Sequence, residues 1–397
     1  NAFHVTAEFS VERTASSQTK RCDIVAFVNG IPFLVIENKR PTESLKKAGS
    51  QLIGYQNEDN IPQLFHFTQL LMVMNRVEAR YATVGTPRQF WQTWRDEEER
   101  DETIDPLANR PLTAAEADAV FSGDFAFARA HFEDLAAEGA RAITAQDRAI
   151  HAMCRPERLL DLIRRFTVFD GGARKVARHQ QFFGIRKAVE RVHQFNLDGR
   201  RKGGVIWHTQ GSGKSLTMVM LGRALALDKA ISNPRILIVT DRDDLDKQIK
   251  DTFKSCELEP IRATSGNHLI ELIRNRTPLV TTIINKFDTA AKAAEDVDED
   301  ANVFVLVDES HRSQTGRYGG HSQFATRMRR LLPRACYLGF TGTPLLKKEK
   351  NTLSTFGGLI HKYAIDEAVA DGAVVPLLYE GRLVEQHVNG GVIDKWF

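Results

Sequence analysis

Residues 204–215 read Gly-Val-Ile-Trp-His-Thr-Gln-Gly-Ser-Gly-Lys-Ser, a hydrophobic run followed by a loop rich in glycine. A strand that ends in such a loop and continues into a helix forms a P-loop, whose glycine backbones and helix N-terminus surround the phosphates of a nucleotide. Lys214 would reach the β- and γ-phosphates, and the Ser215 hydroxyl would bind Mg²⁺. His208 occupies the place of the first glycine in the general P-loop pattern. The stretch therefore predicts an ATP site on an α/β sheet.

A second hydrophobic run, Val303–Val307, ends in Asp308 and Glu309. The carboxyl ends of buried strands are where an α/β sheet places its catalytic groups. Downstream of a P-loop, Asp308 is expected to hold the Mg²⁺ shell, and Glu309 to orient or deprotonate the attacking water. The nucleotide-binding residues that these two segments predict are Gly211, Ser212, Gly213, Lys214, Ser215 and Asp308.

Strands and helices alternate around these two segments. Strands are predicted at 204–209, 235–240, 279–284, 303–308 and 336–341, and most are nearly continuous hydrophobic runs. Such runs are typical of parallel strands that are covered on both faces. We expect a parallel sheet from about residue 171 to 375, with a connector at 366–372 and a new strand from Leu377.

The first 95 residues carry a second candidate site. Asp23 is followed along the chain by Glu37-Asn38-Lys39. An Asp with a later Glu-x-Lys is the pattern of restriction-type nucleases. Asp23 and Glu37 would bind Mg²⁺, which polarises the phosphate and activates water. Lys39 would position the nucleophile and offset the charge that builds on the phosphate.

The register of one hairpin decides whether Asp23 and Glu37 can share a metal. β-like residues on both sides of Asn29-Gly30 are a strong hairpin signal. A two-residue turn would set Asp23 opposite Ile36, so that Asp23 and Glu37 would lie on opposite faces of the sheet. A shared metal therefore requires a three-residue loop at 29–31, or a bulge.

The remaining N-terminal half divides into two stretches. Strands are predicted at 2–9, 22–28, 33–39 and 70–73, and Gln51 and Tyr55 share one face of the following helix at i, i+4 spacing. This pair either packs the helix or supports DNA contact and the metal site. Residues 96–170 are highly charged and are predicted to be helical, with no strand signal between 113 and 150.

Composition limits the class of protein. A chain of 397 residues with 42% hydrophobic and 26% charged residues indicates two or three soluble domains. The net charge of +3 neither requires nor excludes nucleic acid. Four scattered cysteines argue against a disulfide framework or a zinc site. No hydrophobic run approaches the roughly 20 residues that span a bilayer, so we expect a cytoplasmic protein.

Residues 171–375 resemble superfamily 2 helicases, which move along nucleic acid. Because of this resemblance we call this region the motor half. Asp308-Glu309-Ser310-His311 resembles their DEAH-type box, and Phe340–Pro344 resembles the motif that couples nucleotide state to the grip on nucleic acid. The resemblance implies that Gln181 reads adenine, with Gln180 as a close alternative. The coupling and DNA-contact residues that it implies are Arg242, Thr341, Gly342 and Thr343.

The nuclease pattern followed by the helicase motifs is similar to the restriction (R) subunit of type I restriction–modification enzymes. This resemblance implies an α/β chain in which a restriction-endonuclease-like mixed-sheet domain precedes a RecA-like parallel-sheet P-loop domain. The expected domains are residues 1–95 (nuclease-like), 96–170 (helical linker), 171–375 (first RecA-like domain) and 376–397 (start of a second one). It also implies ATP and Mg²⁺ as cofactors, and double-stranded DNA with methyltransferase and specificity subunits as partners.

Under this interpretation the full protein pumps double-stranded DNA with ATP and cuts it away from the recognition site. Without the arginine finger of a complete second RecA-like domain, these residues alone are expected to bind ATP but to hydrolyse it slowly. Three alternatives remain: a helicase or remodelling ATPase whose nuclease-like domain only binds DNA, a scaffold with an inactive P-loop, and a repair helicase–nuclease. Mg²⁺-dependent nicking distinguishes the first alternative, and ATP hydrolysis distinguishes the second.

Overall fold

The computed structural model describes residues 1–293, 298–308, 329–342 and 356–376. Several predicted features lie outside the described residues: Glu309, Ser310, His311, Thr343 and the strand from Leu377. None of the described helices is long and apolar enough to cross a membrane.

The N-terminal part is a mixed sheet of five strands in sequential order. The strands are β1 (Phe3–Glu12), β2 (Thr19–Val28), β3 (Ile31–Asn38), β4 (Leu70–Met74) and β5 (Ala79–Ala82), with α1 (Leu45–Tyr55) and α2 (Pro62–Phe65) between β3 and β4. Neighbouring strands are antiparallel except β3 and β4, which are parallel because the two helices form the crossover between them. β1 extends beyond its predicted end because it pairs with β2 along its whole length.

Helices follow, as predicted. They are α3 (Asp101–Ala108), α4 (Ala114–Val120), α5 (Ala128–Ala137), α6 (Ala145–Cys154) and α7 (Pro156–Arg165). The helices end at Arg165, shortly before the predicted boundary at residue 170. There, β6 (Thr167–Asp170) pairs with β7 (Ala173–Val176) across Gly171-Gly172. Both glycines have positive φ, which allows the tight turn and ends the helical stretch.

The motor half is a sheet of seven parallel strands in the order β10-β11-β9-β12-β13-β8-β14. Its elements are α8 (His179–Val192), β8 (Gly204–His208), α9 (Lys214–Ala226), β9 (Arg235–Thr240), α10 (Asp243–Ser255), β10 (Ile261–Arg262), α11 (Gly266–Arg274), β11 (Leu279–Ile283), α12 (Ile284–Ala293), β12 (Val303–Val307), β13 (Cys336–Thr341), β14 (Leu359–Tyr363) and α13 (Ile365–Ala370). The five predicted strands of this half are confirmed to within one residue.

The C-terminal edge of this sheet corrects the sequence interpretation. The connector predicted at residues 366–372 is for the most part the helix α13, and the strand before it, β14, was not predicted. β14 alternates exposed and buried side chains and includes a histidine and a lysine, so it lacks the hydrophobic run of the central strands. Its pairing with β8 extends the sheet beyond the strand that leads into the P-loop.

The two sheets share one hydrophobic core. Leu34 and Met72 of the N-terminal sheet belong to the same cluster of buried side chains as Phe182 and Ile206 of the motor half. Trp94 lies between them, and its ring centroid is 5.3 Å from that of Phe182. The side chains of the N-terminal sheet therefore help to bury the helix that packs against the P-loop strand.

Candidate functional site

The hairpin that carries the nuclease pattern combines the two-residue turn with a bulge. Asn29 and Gly30 have φ of 52° and 79°, as in a type I′ turn, and Val28 pairs with Ile31. The register then shifts, because Phe27 pairs with Pro32 while Ala26 pairs with Leu34. One residue of β3, Phe33, is left without a partner on β2.

This bulge brings the two carboxylates of the pattern together. Beyond it, Ile24 pairs with Ile36, so that Asp23 and Glu37 come next to each other on adjacent strands. The backbone N–H of Asn38 donates a 2.6 Å hydrogen bond to Asp23 Oδ2. The condition for a shared metal is thus met by the bulge rather than by a longer loop.

Glu37 is buried with an incomplete set of partners. Its side chain is 1% exposed, and its Oε1 accepts a 2.6 Å hydrogen bond from Lys39 Nζ. Its Oε2 has no hydrogen-bond partner. Burial raises the pKa of this carboxyl, and the charge of Asp23 adds to the increase, against the hydrogen bond from Lys39. A buried carboxylate oxygen without a donor is a costly arrangement unless another group binds it.

The donor set fits Mg²⁺. Mg²⁺ is usually held by one or two carboxylates and completes its octahedron with water and substrate phosphate. Asp23 and Glu37 supply two carboxylates, one of them with an unpartnered oxygen. Among the residues that the structure describes, no cluster of three or more His, Cys, Asp or Glu side chains could hold a metal. The pair therefore needs water and phosphate oxygens as further ligands.

Gln51 and Tyr55 support this cluster from α1. Gln51 Nε2 donates to Tyr55 Oη at 2.7 Å, as their shared helix face predicts, and Tyr55 Oη donates to the Arg21 carbonyl at 3.4 Å. Burial, with added charge from Glu37 and Asp23, raises the pKa of the neighbouring Cys22 thiol to about 12. Cys22 is thus a neutral core residue and not a nucleophile.

The P-loop has the expected backbone geometry. Gly211 and Gly213 have φ of 82° and 88°, which favours glycine at both positions. Gly213 is the N-cap of α9, with no side-chain hydrogen bond to the helix end. The backbone N–H of Thr209 donates to the Tyr363 carbonyl at 2.9 Å, and Ser212 Oγ donates to the Thr209 carbonyl at 2.6 Å. The loop is therefore held from its own strand and from β14.

The other motor motifs lie at the same edge of the sheet. Because all strands are parallel, Asp308 after β12 and Thr341 at the end of β13 reach the edge where the P-loop leaves β8. Gly342 approaches the P-loop closely, since a Cβ at this position would lie 2.8 Å from Lys214 Nζ and 3.1 Å from the Gln210 backbone nitrogen. A larger residue at 342 would push against the Lys214 side chain.

The two candidate glutamines differ in their contacts. Gln181 Nε2 donates to the Gly213 carbonyl at 3.1 Å, and Gln181 Oε1 accepts from the Arg178 backbone N–H at 2.9 Å. Gln180 is 1% exposed, and neither of its amide atoms has a partner. Gln181 thus contacts the P-loop helix directly, whereas Gln180 does not make such a hydrogen bond.

Arg242 lies on the surface. It is the N-cap of α10, and its side chain is 65% exposed, with Asp241 3.7 Å away. It follows β9 at the carboxyl edge of the sheet, where a phosphodiester backbone could reach it.

Two contributors to these sites were missed from the sequence. Phe33 forms the bulge that unites the carboxylates, and Tyr363 holds the start of the P-loop with its carbonyl. Neither residue belongs to a motif. A bulge depends on how two strands pair, and the Tyr363 contact depends on a strand that is distant in sequence.

Comparisons with known proteins match both halves. Residues 180–397 match the SWI2/SNF2 ATPase family, and residues 1–90 match the type I restriction enzyme R protein N terminus. The MjaIXP type I restriction enzyme endonuclease subunit of Methanocaldococcus jannaschii is 30% identical over 414 residues, covering 100% of this chain and 36% of that protein. The HindI counterpart of Haemophilus influenzae is 31% identical over 381 residues, covering 90% of this chain and 33% of that protein.

The chain thus spans about a third of the length of these curated relatives. Among solved structures, the ATP-dependent Type ISP restriction-modification enzyme LlaBIII bound to DNA is similar over 49% of this chain and 16% of that chain. The TM-score is 0.38 and the sequence identity is 15%.

Proposed function

Since this chain belongs to the family of type I restriction enzyme R proteins, with a motor of the SWI2/SNF2 ATPase type, we propose that it couples ATP-driven movement of double-stranded DNA to Mg²⁺-dependent cleavage. Cleavage would occur away from the recognition site, in the cytoplasm. A specificity subunit would read the DNA sequence, and a methyltransferase subunit would complete the complex.

One observation carries this proposal. The bulge at Phe33 places Asp23 beside Glu37 and leaves Glu37 Oε2 without a partner, in a chain that also contains a P-loop. A domain that only bound DNA would have no use for a buried carboxylate with an unpaired oxygen, because such a group destabilises the fold. The arrangement favours a nuclease over the DNA-binding alternative.

The nuclease residues have distinct roles in this proposal. Mg²⁺, when bound, would polarise the scissile phosphate and lower the pKa of a water molecule. Asp23 and Glu37 would hold the ion at the end of the hairpin. Lys39, whose ammonium group contacts Glu37, would position the water and offset negative charge on the phosphate. Gln51 and Tyr55 would hold the strand carrying Asp23 against α1.

The ATP residues act at the other sheet. The backbone of Gly211, Ser212 and Gly213 would surround the phosphates, with Lys214 on the β- and γ-phosphates and Ser215 and Asp308 on Mg²⁺. Glu309 would orient the attacking water, Gln181 would support the adenine end of the site, and Thr341, Gly342 and Thr343 would relay nucleotide state. The roles of Glu309 and Thr343 rest on the sequence pattern alone.

DNA contacts in the motor would go mainly to phosphate, through surface residues such as Arg242. Such contacts release counterions, so we expect the affinity for DNA to fall steeply as salt increases. Replacing Arg242 with alanine should weaken binding by a similar factor on unrelated DNA sequences, because phosphate contacts carry no base information.

The test uses the full-length protein assembled with its methyltransferase and specificity subunits on unmethylated plasmid. Phosphate release and DNA breakage are followed together in wild type, in Glu37→Ala and in Lys214→Ala. We expect Glu37→Ala to hydrolyse ATP without cutting, and Lys214→Ala to do neither. ATP hydrolysis by wild type without any breakage would show that the N-terminal sheet only binds DNA, and the nuclease assignment would be wrong.

A further inference from the structure

Residues 95–99, Arg-Asp-Glu-Glu-Glu, which we call the strap, join the N-terminal sheet to the helical segment. Its acidic residues pair with cations at α7 and α8: Asp96 with Arg158 at 3.2 Å, Glu97 with Lys187 at 2.7 Å, Glu98 with Arg186 at 2.7 Å and Glu99 with Arg155 at 2.8 Å. Individual pairs near the surface contribute little to stability. Together the pairs of Glu97 and Glu98 hold the strap against α8 of the motor half, and those of Asp96 and Glu99 hold it against the start of α7.

One strap residue reaches further than the others. Glu97 accepts hydrogen bonds from His361 Nε2 at 2.8 Å and 2.9 Å, one to each carboxylate oxygen. His361 Nδ1 lies 2.8 Å from His208 Nε2, and both rings are buried. His208 is the last residue of β8 and directly precedes the loop that turns around the phosphates. A continuous chain of hydrogen bonds therefore runs from the strap to the start of the P-loop.

A second connection runs parallel to the first. Arg95 of the strap contacts Asp371 at 3.2 Å, and Asp371 accepts a 2.8 Å hydrogen bond from the Tyr363 hydroxyl. The Tyr363 carbonyl in turn accepts from the Thr209 backbone N–H at 2.9 Å. Two adjacent residues of the P-loop region, His208 and Thr209, are thus each connected to the strap through β14.

The chemistry of the first connection depends on Glu97 being charged. Burial opposes ionisation of Glu97, but hydrogen bonds from His361 and Lys187 outweigh it and lower the pKa of the carboxyl. Burial, with the nearby charges of His361 and Lys214, lowers the pKa of His208 far below its ordinary value, so His208 is neutral. The carboxylate therefore holds the N–H of His361 in place, and His361 orients the neutral ring of His208.

Packing leaves the two rings little freedom to reorient. A Cβ added at Gly184 of α8 would lie 3.2 Å from the His208 ring and 3.5 Å from His361. The centroids of the His208 and Tyr363 rings are 6.0 Å apart. Because α8 packs against both rings and the two rings are hydrogen-bonded, rotation of the His361 ring would have to move His208 as well.

We propose that Glu97 is a positioning residue of the nucleotide site, which acts through His361 and His208 on the P-loop. The affinity for ATP then depends on where the strap lies. The strap leads directly from the nuclease-like sheet into the helical segment. This inference rests on the proposed ATP site at residues 208–215 and does not require the nuclease activity.

The experiment compares Glu97→Gln with Glu99→Gln in the full-length protein. Both substitutions remove one strap charge, but Glu99 pairs only with Arg155 among the contacts that the structure describes for its side chain. Binding of a fluorescent ATP analogue gives Kd, and steady-state hydrolysis gives KM and kcat. We expect Glu97→Gln to raise Kd and KM about fivefold or more, with kcat within about twofold of wild type, because ground-state binding is lost.

A purely structural role predicts a different pattern. Loss of folded protein would lower the apparent kcat and leave KM unchanged, and Glu99→Gln would behave like Glu97→Gln. Either result would overturn the proposal. We call the hydrogen-bonded chain Glu97–His361–His208 the relay. The double variant Glu97→Gln/His361→Asn adds a second test, since the effects of substitutions within one hydrogen-bonded network are not additive. We expect it to bind the analogue no more than about twofold more weakly than His361→Asn alone, and multiplication of the two effects would refute the relay.

Wild type serves to separate the two hypotheses. If wild type failed to bind the analogue, the proposed ATP site would be wrong and the relay with it. If wild type bound and Lys214→Ala did not, the site would stand, and the Glu97 result alone would decide the relay.

Discussion

Replacing Glu37 with glutamine tests whether this side chain serves metal binding rather than stability. Glu37 is 1% exposed, and its Oε2 has no hydrogen-bond partner. Burial raises the pKa of the carboxyl even though Lys39 donates a hydrogen bond to it. The folded protein therefore favours a neutral group at position 37, even though the Lys39 ammonium group contacts it.

The expected effect on stability follows from that preference. At pH 8 and without Mg²⁺, Glu37→Gln should raise the free energy of unfolding by about 1 kcal/mol or more, because a neutral amide costs less to bury than a charged carboxylate with an unpartnered oxygen. The size of this effect depends on pH. Because the pKa is higher in the folded state, the wild type loses stability as the pH rises from the ordinary value of 4.5 through the folded value. The glutamine variant has no such loss, so its advantage should widen between pH 5 and pH 8.

Urea unfolding followed by tryptophan fluorescence measures this difference, because Trp91 is buried in the N-terminal sheet. Glu78→Gln, in the connection between β4 and β5 of the same sheet, is the matched control, since its side chain is 45% exposed. It should change stability by less than about 0.5 kcal/mol. Mg²⁺ should stabilise wild type by about 2.7 kcal/mol at one hundred times its Kd, and should leave Glu37→Gln unchanged.

The opposite result would be decisive. If Glu37→Gln were less stable than wild type by more than about 1 kcal/mol at pH 8 without Mg²⁺, the pair with Lys39 would be a stabilising salt bridge. Glu37 would then need no metal to explain its burial, and the nuclease assignment would lose its main support.

Three further predictions concern the bulge and the motor. Deleting Phe33 removes the bulged residue but leaves Ala26 opposite Leu34 and Asp23 beside Glu37, so plasmid nicking should continue alongside phosphate release by the same sample; loss of nicking alone would contradict the register argument. Lys214→Ala should lower ATP hydrolysis at least about 100-fold with an unchanged circular dichroism spectrum, and a smaller loss would place the phosphates elsewhere. Gln180→Met removes two buried polar atoms without partners and should raise stability by about 1 kcal/mol with an unchanged KM for ATP. A raised KM would instead identify Gln180 as the residue that reads adenine.

Features encoded within a short stretch could be predicted from the sequence. The P-loop is a strand, a glycine loop and a helix start within residues 204–215, and its geometry depends on little else. The type I′ turn at Asn29-Gly30 is similarly local, because two residues with positive φ define it. The five central strands were predicted because burial on both faces requires continuous hydrophobic residues.

Features that depend on pairing could only be posed as alternatives or were missed. The bulge was one of two solutions that would bring Asp23 to Glu37, and nothing in Phe33 itself selects it. β14 was missed because it is an edge strand with alternating burial, and its place beside β8 depends on a contact between distant residues. For the same reason no sequence pattern indicates that Glu97 and His361 meet.

The position of β14 also affects the order in which the protein can form during synthesis. β8 pairs with β13 on one side and β14 on the other, and both partners follow it by well over one hundred residues. About 155 residues separate His208 from Tyr363, which a ribosome adding roughly 5–20 residues per second takes about 8–30 s to complete. During that interval β8 would have two open edges, which invite pairing with other chains. The nucleotide loop therefore cannot make its contact with Tyr363 until β14 has been synthesised.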